Sequence, residues 1–488
     1  MKLYLDGHAE RYALEQLQMS LFPGEAMEYV EQPFQGDGAV SSLCREGDFL
    51  VASGRIRRHG RDVSGVCRMR AADETVPLRR RILQQSYYLA AIQVLEAAPP
   101  WGALAGVRPT KLTSRVLLEG GTEEDCEALL RDVYFVEPSR RLLCIDASRA
   151  TVEAAGLLEP TDLSLYIGIP FCPTRCAYCS FVSQSIEKQA GLLEPFLEAL
   201  LREIEVTGQL LADSPFRIRT VYIGGGTPTT LSASQLSRLM DTISSHFDLG
   251  RVLEYTVEGG RPDTLNLEKL SAIRRHGADR MSINPQTMRD DGLRRMGRRH
   301  SSEQTLRAFA DAKAAGFEGI NMDLIAGLPG DSPEGFAGSL SQCIALEPAN
   351  LTIHTLALKR GSDLNMDRGG LLPPEAVAEM LGDAQPQLRA AGYSPYYLYR
   401  QKYMSGSFEN VGWCRPGWPG LYNIYMMEEL HSILSLGGGG MSKLNLPGGR
   451  LARFHNPKYP KEYLDRLDDT LESHRQFFQA LTGNGCEL

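Results

Sequence analysis

The sequence lacks an apolar run of the roughly 18 to 20 residues that a helix needs to cross a bilayer. Its first eight residues, Met-Lys-Leu-Tyr-Leu-Asp-Gly-His, contain no apolar signal-peptide core. No low-complexity tract interrupts the 488 residues, of which 43% are apolar and 23% are charged. We therefore expect a folded, cytoplasmic protein with no membrane span.

The sequence also lacks an excess of positive charge. Its 52 Lys and Arg residues face 60 Asp and Glu residues, which gives a net charge of −8. That balance argues against a broad surface for nucleic acid or for anionic lipid. We expect no nucleic-acid partner.

The sequence is poor in the cysteine pairs that build zinc sites and disulfide frameworks. Seven of its ten cysteines are scattered. The other three, Cys172, Cys176 and Cys179, form a C-x3-C-x2-C motif directly after an apolar, β-prone run. Structural zinc takes four ligands, usually as two pairs, and no second pair follows within finger distance. Zinc, or a disulfide with a spare thiol, remains the less favoured alternative.

Three thiolates match three corners of a [4Fe–4S] cube, whose usual ligands are four cysteines. The fourth iron would then stay open to a small molecule. The motif therefore predicts a cluster that acts on a bound ligand, whereas an electron-transfer ferredoxin normally closes all four corners.

The length of the chain predicts two or three domains. Residues 1–158 read as an N-terminal α+β accessory domain, with short strand-like runs before a helix over Leu78–Ala97. Residues 159–370 alternate short β-branched runs with amphipathic helices, which is typical of βα units and a parallel sheet. Residues 371–488 read as a mixed C-terminal extension that covers the substrate. The six predicted strands are Ser164–Ile169, Arg219–Ile223, Leu253–Glu258, Arg280–Asn284, Gly319–Ile325 and Leu351–Leu358.

Six βα units in a row form either a partial barrel or a doubly wound sheet, and both bind ligands at the carboxyl ends of their strands. Polar or glycine residues fall at that edge of successive strands. They are Cys172, Gly224–Gly226, Glu258, Asn284, Gln286, Asp323 and His354. This convergence predicts one shared site.

Each candidate has a plainer interpretation. Glu258 could accept hydrogen bonds from an amine, and Asp323 or Gln286 could hold ribose hydroxyls, but for each one taken alone a helix cap or a salt bridge at a strand end is the favoured interpretation. Arg298 could neutralise a ligand carboxylate or belong to a solvated basic helix face. His354 could be a satisfied strand histidine.

The motifs together resemble the radical S-adenosylmethionine (SAM) superfamily and, within it, the oxygen-independent coproporphyrinogen III dehydrogenases and their relatives (the HemN, HemW and HemZ group). The chain is most similar to the HemZ-type branch. The matching phrases are Tyr166-Ile-Gly-Ile-Pro-Phe-Cys172, Tyr222-Ile-Gly-Gly-Gly-Thr-Pro228, Thr256-Val-Glu258, Arg280-Met-Ser-Ile-Asn-Pro-Gln286, Gly297-Arg298 and Asp323-Leu-Ile-Ala-Gly-Leu-Pro329.

The resemblance implies an α/β fold with a partial (β/α)6 TIM-like barrel as the radical SAM core. It also implies two cofactors, a [4Fe–4S] cluster and SAM. Cys172, Cys176 and Cys179 would hold the cluster, and Tyr166 would lie beside the sulfonium. The remaining contacts to SAM would come from Gly225, Gly226, Thr227, Glu258, Gln286, Arg298 and Asp323.

The activity implied is that of a radical SAM oxidoreductase of anaerobic heme biosynthesis, which converts coproporphyrinogen III to protoporphyrinogen IX. Its partners would be a tetrapyrrole substrate and an electron donor such as flavodoxin or ferredoxin. Two departures stand out, because HemN enzymes carry His where this chain has Gly168 and a further Cys where it has Phe181. HemW-like heme chaperones carry a His-Asn pair where this chain has Tyr422-Asn423. The alternatives are a heme-binding chaperone or a radical SAM methyltransferase or other tetrapyrrole-modifying enzyme.

Overall fold

The computed structural model describes residues 1–179, 184–357, 371–401 and 408–483. The chain forms two compact units, the first made of Met1–Ser148 with Tyr399–Glu409, and the second of Arg149–Leu398 with Asn410–Leu488. Residues 371–398 therefore belong to the same compact unit as the predicted barrel. The predicted division into three domains, at residues 158 and 370, remains a prediction.

The first unit is an α+β fold around a five-stranded sheet of order β2-β1-β3-β4-β5. Strand β1 is parallel to β2 and β3, and β3, β4 and β5 form an antiparallel meander. Its strands are β1 (Lys2–Asp6), β2 (Glu28–Val30), β3 (Gly38–Glu46), β4 (Phe49–Arg58) and β5 (Arg61–Arg70). Its helices are α1 (Arg11–Leu21), α2 (Val76–Ala91), α3 (Thr110–Leu118), α4 (Glu123–Ala128) and α5 (Pro138–Ala155), which runs on into the second unit.

The predicted helix over Leu78–Ala97 is wrong at both ends. It begins earlier, at Val76, because the Thr75 hydroxyl accepts from the amide of Leu78 and Pro77 suits the first turn. It ends at Ala91. The amides of Gln93 and Val94, which follow, donate to the carbonyl three residues back instead of four, so the chain leaves the α-helical hydrogen-bond pattern there.

The second unit contains an eleven-stranded sheet of order β14-β15-β13-β12-β11-β10-β9-β6-β16-β17-β18. All six predicted strands are present in it as consecutive parallel neighbours, which confirms the predicted parallel α/β core. They are β6 (Asp162–Ile169), β9 (Arg217–Gly225), β10 (Glu254–Glu258), β11 (Arg280–Ser282), β12 (Gly319–Ala326) and β13 (Asn350–Thr355). Leu358, the predicted end of the last strand, lies outside the described residues.

The other strands of this unit come mainly from the C-terminal part of the chain. They are β7 (Phe171–Cys172), β8 (Gln184–Ser185), β14 (Ser394–Arg400), β15 (Glu409–Cys414), β16 (Ser432–Gly437), β17 (Met441–Leu446) and β18 (Arg450–His455). Strand β16 lies parallel to β6, so the sheet has a seventh parallel strand that the sequence did not predict.

Helices connect the strands, as the alternation of β-branched runs with amphipathic segments predicts. They are α6 (Ile186–Gln189), α7 (Leu193–Ala212), α8 (Ala233–His246), α9 (Leu267–Arg275), α10 (Asp290–Arg295), α11 (Ser302–Ala314), α12 (Pro333–Ala345), α13 (Pro374–Ala390), α14 (Leu421–Glu428), α15 (Pro460–Asp465) and α16 (Leu467–Leu481). Capping boxes fix the starts of two of them, through Ser232 with Gln235 and Ser301 with Gln304. Among the described residues, no helix is both long and apolar enough to cross a membrane.

A fully buried carboxylate, Glu203 on α7, ties the C-terminal elements to the barrel. One oxygen accepts from the amide of Gly437 at 2.7 Å and from the Tyr463 hydroxyl, and the other accepts from Asn456 Nδ2 at 2.8 Å. His474 Nε2 lies 2.7 Å from that second oxygen. Four partners compensate for the burial of the charge, so Glu203 holds the turn after β16 in place.

Candidate functional site

The cysteine segment is packed against the glycine turn that follows β9. The amide of Gly226 donates to Ile169 O at 2.8 Å, and the amide of Thr227 donates to Phe171 O at 2.7 Å. The Thr227 hydroxyl lies 3.4 Å from Cys172 Sγ. The two sequence motifs therefore meet at the carboxyl edge of neighbouring strands.

Glycine is required in this turn by close approach. A Cβ on Gly226 would stand 2.5 Å from Phe171 O and 3.0 Å from Cys172 Sγ. Gly225 has a φ of +112°, which L side chains rarely adopt. The glycines at 225 and 226 thus let this turn pack directly against the cysteine segment, beside the first cysteine.

Glu258 ends β10 and points to the same edge. Its Oε1 accepts from the Tyr222 hydroxyl at 2.7 Å. Burial raises the pKa of Glu258 to about 7, and the nearby Asp323 adds to the rise, while the Tyr222 hydroxyl and the Gly225 amide oppose it. A cationic amine beside this carboxylate would restore its charged form.

Asp323 and Gln286 are held together by the backbone. The amide of Gln286 donates to Asp323 O, and Gln286 O accepts from the amide of Ile325, both at 2.9 Å. Gln286 has a φ of +68°, and such a left-handed conformation in a non-glycine residue is typical of functional sites. Asp323 Oδ1 accepts from Asn321 Nδ2 at 2.8 Å, and His354 Nε2 lies 3.6 Å from Asp323 Oδ2. The structure therefore brings Gln286, Asp323 and His354 together.

Arg298 is 7% exposed. It is therefore buried and does not belong to a solvated basic helix face, which was the alternative interpretation of the sequence. It donates to Asn284 O at 2.7 Å and to the Tyr178 hydroxyl at 3.0 Å. Within the described parts of the chain, its Nε has no hydrogen-bond partner and no carboxylate lies at ion-pair distance. Burial opposes its charge, but the Tyr178 hydroxyl and the Cys176 thiol favour it and raise the pKa of Arg298. A buried cation without a carboxylate partner is costly, so this site suits a ligand or cluster that carries negative charge.

Tyr166 belongs to a stack of three tyrosines that the sequence did not reveal. Its ring centroid lies 6.2 Å from that of Tyr222 and 6.2 Å from that of Tyr422, and the Tyr222 and Tyr422 rings are 4.6 Å apart. Tyr166 and Tyr222 are register partners in β6 and β9, which places both side chains on one face of the sheet. The pairing of Tyr166 with Tyr222 could have been predicted only if the register of β6 against β9 had been known.

The sequence also missed Arg261, which lies in the loop after Glu258 and is 3% exposed. Its Nη1 lies 3.8 Å from Cys176 Sγ. The sequence did offer one signal for Arg261, because it follows Glu258 by only three residues and so lies near the same carboxyl edge of the sheet. Phe181 lies outside the described residues.

Gly168 lies at the position where HemN enzymes carry His. The space beside its Cα is filled by backbone atoms of another segment. A Cβ there would stand 2.6 Å from Gly438 O. The turn after β16 thus fills the space in which a larger side chain would lie.

Among the described residues, no three His, Cys, Asp or Glu side chains converge closely enough to hold a single metal ion. A [4Fe–4S] cube places a different iron at each cysteine, so its ligands need not meet around one point.

Comparisons with known proteins agree with this geometry. Residues 166–343 match the radical SAM superfamily model. The chain is 39% identical over 393 residues to the oxygen-independent coproporphyrinogen-III oxidase-like protein HemZ of Bacillus subtilis, covering 78% of each protein. It is 28% identical to the heme chaperone HemW of Escherichia coli, over 63% of this chain and 77% of HemW.

The structure of coproporphyrinogen III oxidase (HemN) from Escherichia coli, described as a radical SAM enzyme, superimposes with a TM-score of 0.53 at 24% identity. The match covers 66% of this chain and 73% of that one, and it supports the fold. The chain therefore belongs to the HemN, HemW and HemZ group of the radical SAM superfamily, whose cofactors are a [4Fe–4S] cluster and SAM.

Proposed function

We propose that this protein is a radical SAM oxidoreductase that converts coproporphyrinogen III to protoporphyrinogen IX. The observation that carries the proposal is the convergence of the cysteine segment, Gly226, Glu258, Asp323 and Arg298 at one edge of the parallel sheet. The similarity to HemZ, named as coproporphyrinogen-III oxidase-like, supports the choice of a tetrapyrrole substrate.

The residues present fit the two cofactors. Cys172, Cys176 and Cys179 would supply three soft thiolate ligands, and the glycine turn packs directly beside Cys172. The buried cation of Arg298 has no carboxylate partner among the described residues, which suits an anionic cluster and the carboxylate of a bound amino acid.

We assign the contacts to SAM from this arrangement. Glu258 would accept from the amine, Arg298 would pair with the carboxylate, and Asp323 and Gln286 would bind the ribose hydroxyls. Gly225, Gly226 and Thr227 would present their backbone to the methionine portion. Tyr166, held by its two stacked neighbours, would form a rigid wall beside the sulfonium.

When bound, the cluster and SAM would supply one 5′-deoxyadenosyl radical for each of the two propionate side chains. Each propionate would lose one hydrogen atom to its radical, and then CO2 and one electron, to become a vinyl group, with each electron passing to a one-electron acceptor. The tyrosine stack and the closed edge at Gly168 would help to exclude water from the reacting groups.

A heme chaperone is the second candidate. The backbone at Gly168 leaves no room for a HemN-type histidine, and the similarity to HemW supports this alternative. Against it, Tyr422 occupies the position of the HemW histidine and lies buried in the tyrosine stack rather than open to a heme iron.

The test is anaerobic reconstitution with iron and sulfide, followed by SAM, a reductant and coproporphyrinogen III, with products identified by mass spectrometry. We expect 5′-deoxyadenosine and protoporphyrinogen IX, and loss of both in Cys176→Ala. Cys44→Ala, which removes an exposed thiol of the first unit, is the matched control and should retain both. Formation of 5′-deoxyadenosine without decarboxylated product would refute the substrate assignment, and tight stoichiometric heme binding without turnover would favour the chaperone.

A further inference from the structure

A second buried guanidinium, that of Arg261, lies beside the cysteine segment and has no place in the proposed contacts to SAM. Its Nη1 approaches three atoms of that segment. They are Cys176 Sγ at 3.8 Å, Thr174 Oγ1 at 3.1 Å and Thr174 O at 3.5 Å. An N–H group of a buried cation is therefore directed at a cluster-binding sulfur.

Arg261 is held in this orientation by its neighbour Asp263. Nε and Nη2 of Arg261 donate to the two carboxylate oxygens of Asp263, each at 3.0 Å. This two-point contact fixes the plane of the guanidinium and leaves Nη1 as the nitrogen that faces Cys176. Pro262, between the two residues, restricts the backbone of the loop.

Hydrogen bonds to cysteine sulfur and nearby charge set the reduction potential of an iron–sulfur cluster. Reduction adds one electron, so a cation and an N–H donor beside the sulfur stabilise the reduced form more than the oxidised form. The effect is strong at a buried site because little solvent screens the charge. Asp263 opposes it, since its carboxylate is negative.

We propose that Arg261 is a positioning residue that donates an N–H to Cys176 Sγ and raises the reduction potential of the cluster, while Asp263 orients Arg261 and limits the rise. The proposal rests on the cluster assignment and is independent of the tetrapyrrole substrate. It gives the loop after Glu258 a role in delivering the electron that SAM cleavage requires.

A purely structural role would also account for the contact between Arg261 and Thr174. In that case Arg261 would only clamp the cysteine segment, and loss of either Arg261 or Asp263 would loosen it in the same way. The electrostatic role differs because the two losses move the potential in opposite directions.

The experiment measures the midpoint potential of the reconstituted cluster by an EPR-monitored dye titration, without SAM or tetrapyrrole. In Arg261→Gln, we expect at least a tenfold lower ratio of reduced to oxidised cluster at the wild-type midpoint, which equals a fall of about 59 mV for one electron. In Asp263→Asn, we expect a shift in the opposite direction, because the amide oxygen still accepts from Arg261 and keeps it oriented while the negative charge is removed. Iron content and melting temperature are measured on the same samples.

The control is Arg289→Gln. Arg289 makes the same two-point contact with the residue two positions on, from Nε and Nη2 to Asp291 at 3.3 and 3.1 Å, but it contacts no cysteine within the described residues. Its potential should equal that of the wild type.

Unchanged potentials, or shifts of the same sign in Arg261→Gln and Asp263→Asn, would overturn the proposal. If Arg261→Gln does not retain iron, the potential of Asp263→Asn tests the proposal instead. A rise in that potential supports it, because loosening of the cysteine segment would not raise the potential. Turnover of coproporphyrinogen III by the wild type is measured separately, so failure of the proposed function would leave this result standing.

Discussion

Glu258→Gln separates the stability of the folded chain from its ability to bind SAM. Folding raises the pKa of this carboxyl from 4.5 to about 7, chiefly because the group is buried. The native state therefore holds the proton more tightly than the unfolded chain does. The contribution of Glu258 to stability is full below pH 4.5 and is lost as the pH rises through 7.

The size of the effect follows from the two pKa values. At about 1.36 kcal/mol for each pH unit between 4.5 and 7, the charged carboxylate costs the native state about 3 kcal/mol at pH 8. Glutamine has the same shape and no charge. Its side-chain oxygen can still accept from Tyr222 or from Gly225.

We therefore expect the cluster-loaded, SAM-free variant to be more stable than the wild type by about 3 kcal/mol at pH 8 and by less than about 1 kcal/mol at pH 5. Its affinity for SAM should fall, because the amine loses its anionic partner. Stability is measured by anaerobic thermal and urea unfolding from pH 5 to pH 8, and SAM binding by equilibrium dialysis.

The control is Glu318→Gln, which replaces an exposed carboxylate just before β12 and should leave the pH profile unchanged. The reasoning is refuted if Glu258→Gln follows the wild-type pH profile, or if it is less stable than the wild type at pH 8. Undiminished SAM binding would refute the role of Glu258 in the site.

Three further predictions test the packing around the site. Gly168→Ala should lower stability by about 1–3 kcal/mol, seen as a lower melting temperature than the wild type, because its Cβ would meet Gly438 O at 2.6 Å; an unchanged value would contradict the closure of this position. Tyr422→His should not create tight heme binding in an absorbance titration, since the residue is buried in the tyrosine stack, and a new stoichiometric heme band would show that the stack opens. Glu203→Gln should lower the free energy of unfolding in urea by about 3–5 kcal/mol, because an amide nitrogen would replace an oxygen that accepts from buried donors. Glu205→Gln, at a partly exposed position of the same helix, should lower it little. Equal losses of stability in the two variants would refute the role of the Glu203 network.

The sequence predicts those parts of the fold that depend on interactions between residues close together in the chain. Helices α8 and α11 begin at serines whose hydroxyl groups, with a glutamine three residues later, satisfy the first amides of the helix. The six parallel strands could be predicted because each is a short β-branched run flanked by helical segments. Strand β16 was missed because its partner β6 lies far away in the sequence, with Ser432 paired to Leu163.

Spacing along the chain was enough to predict a cluster site at Cys172, Cys176 and Cys179, together with the glycine turn and the polar residues at successive strand ends. Three contacts became visible only in the folded chain: Gly438 O closes the space at Gly168, Tyr422 stacks on Tyr222, and Arg261 faces Cys176. The reason is physical, because each of these contacts joins residues from separate segments. Their distance is set by sheet register and packing, and neither can be read from the spacing of a motif.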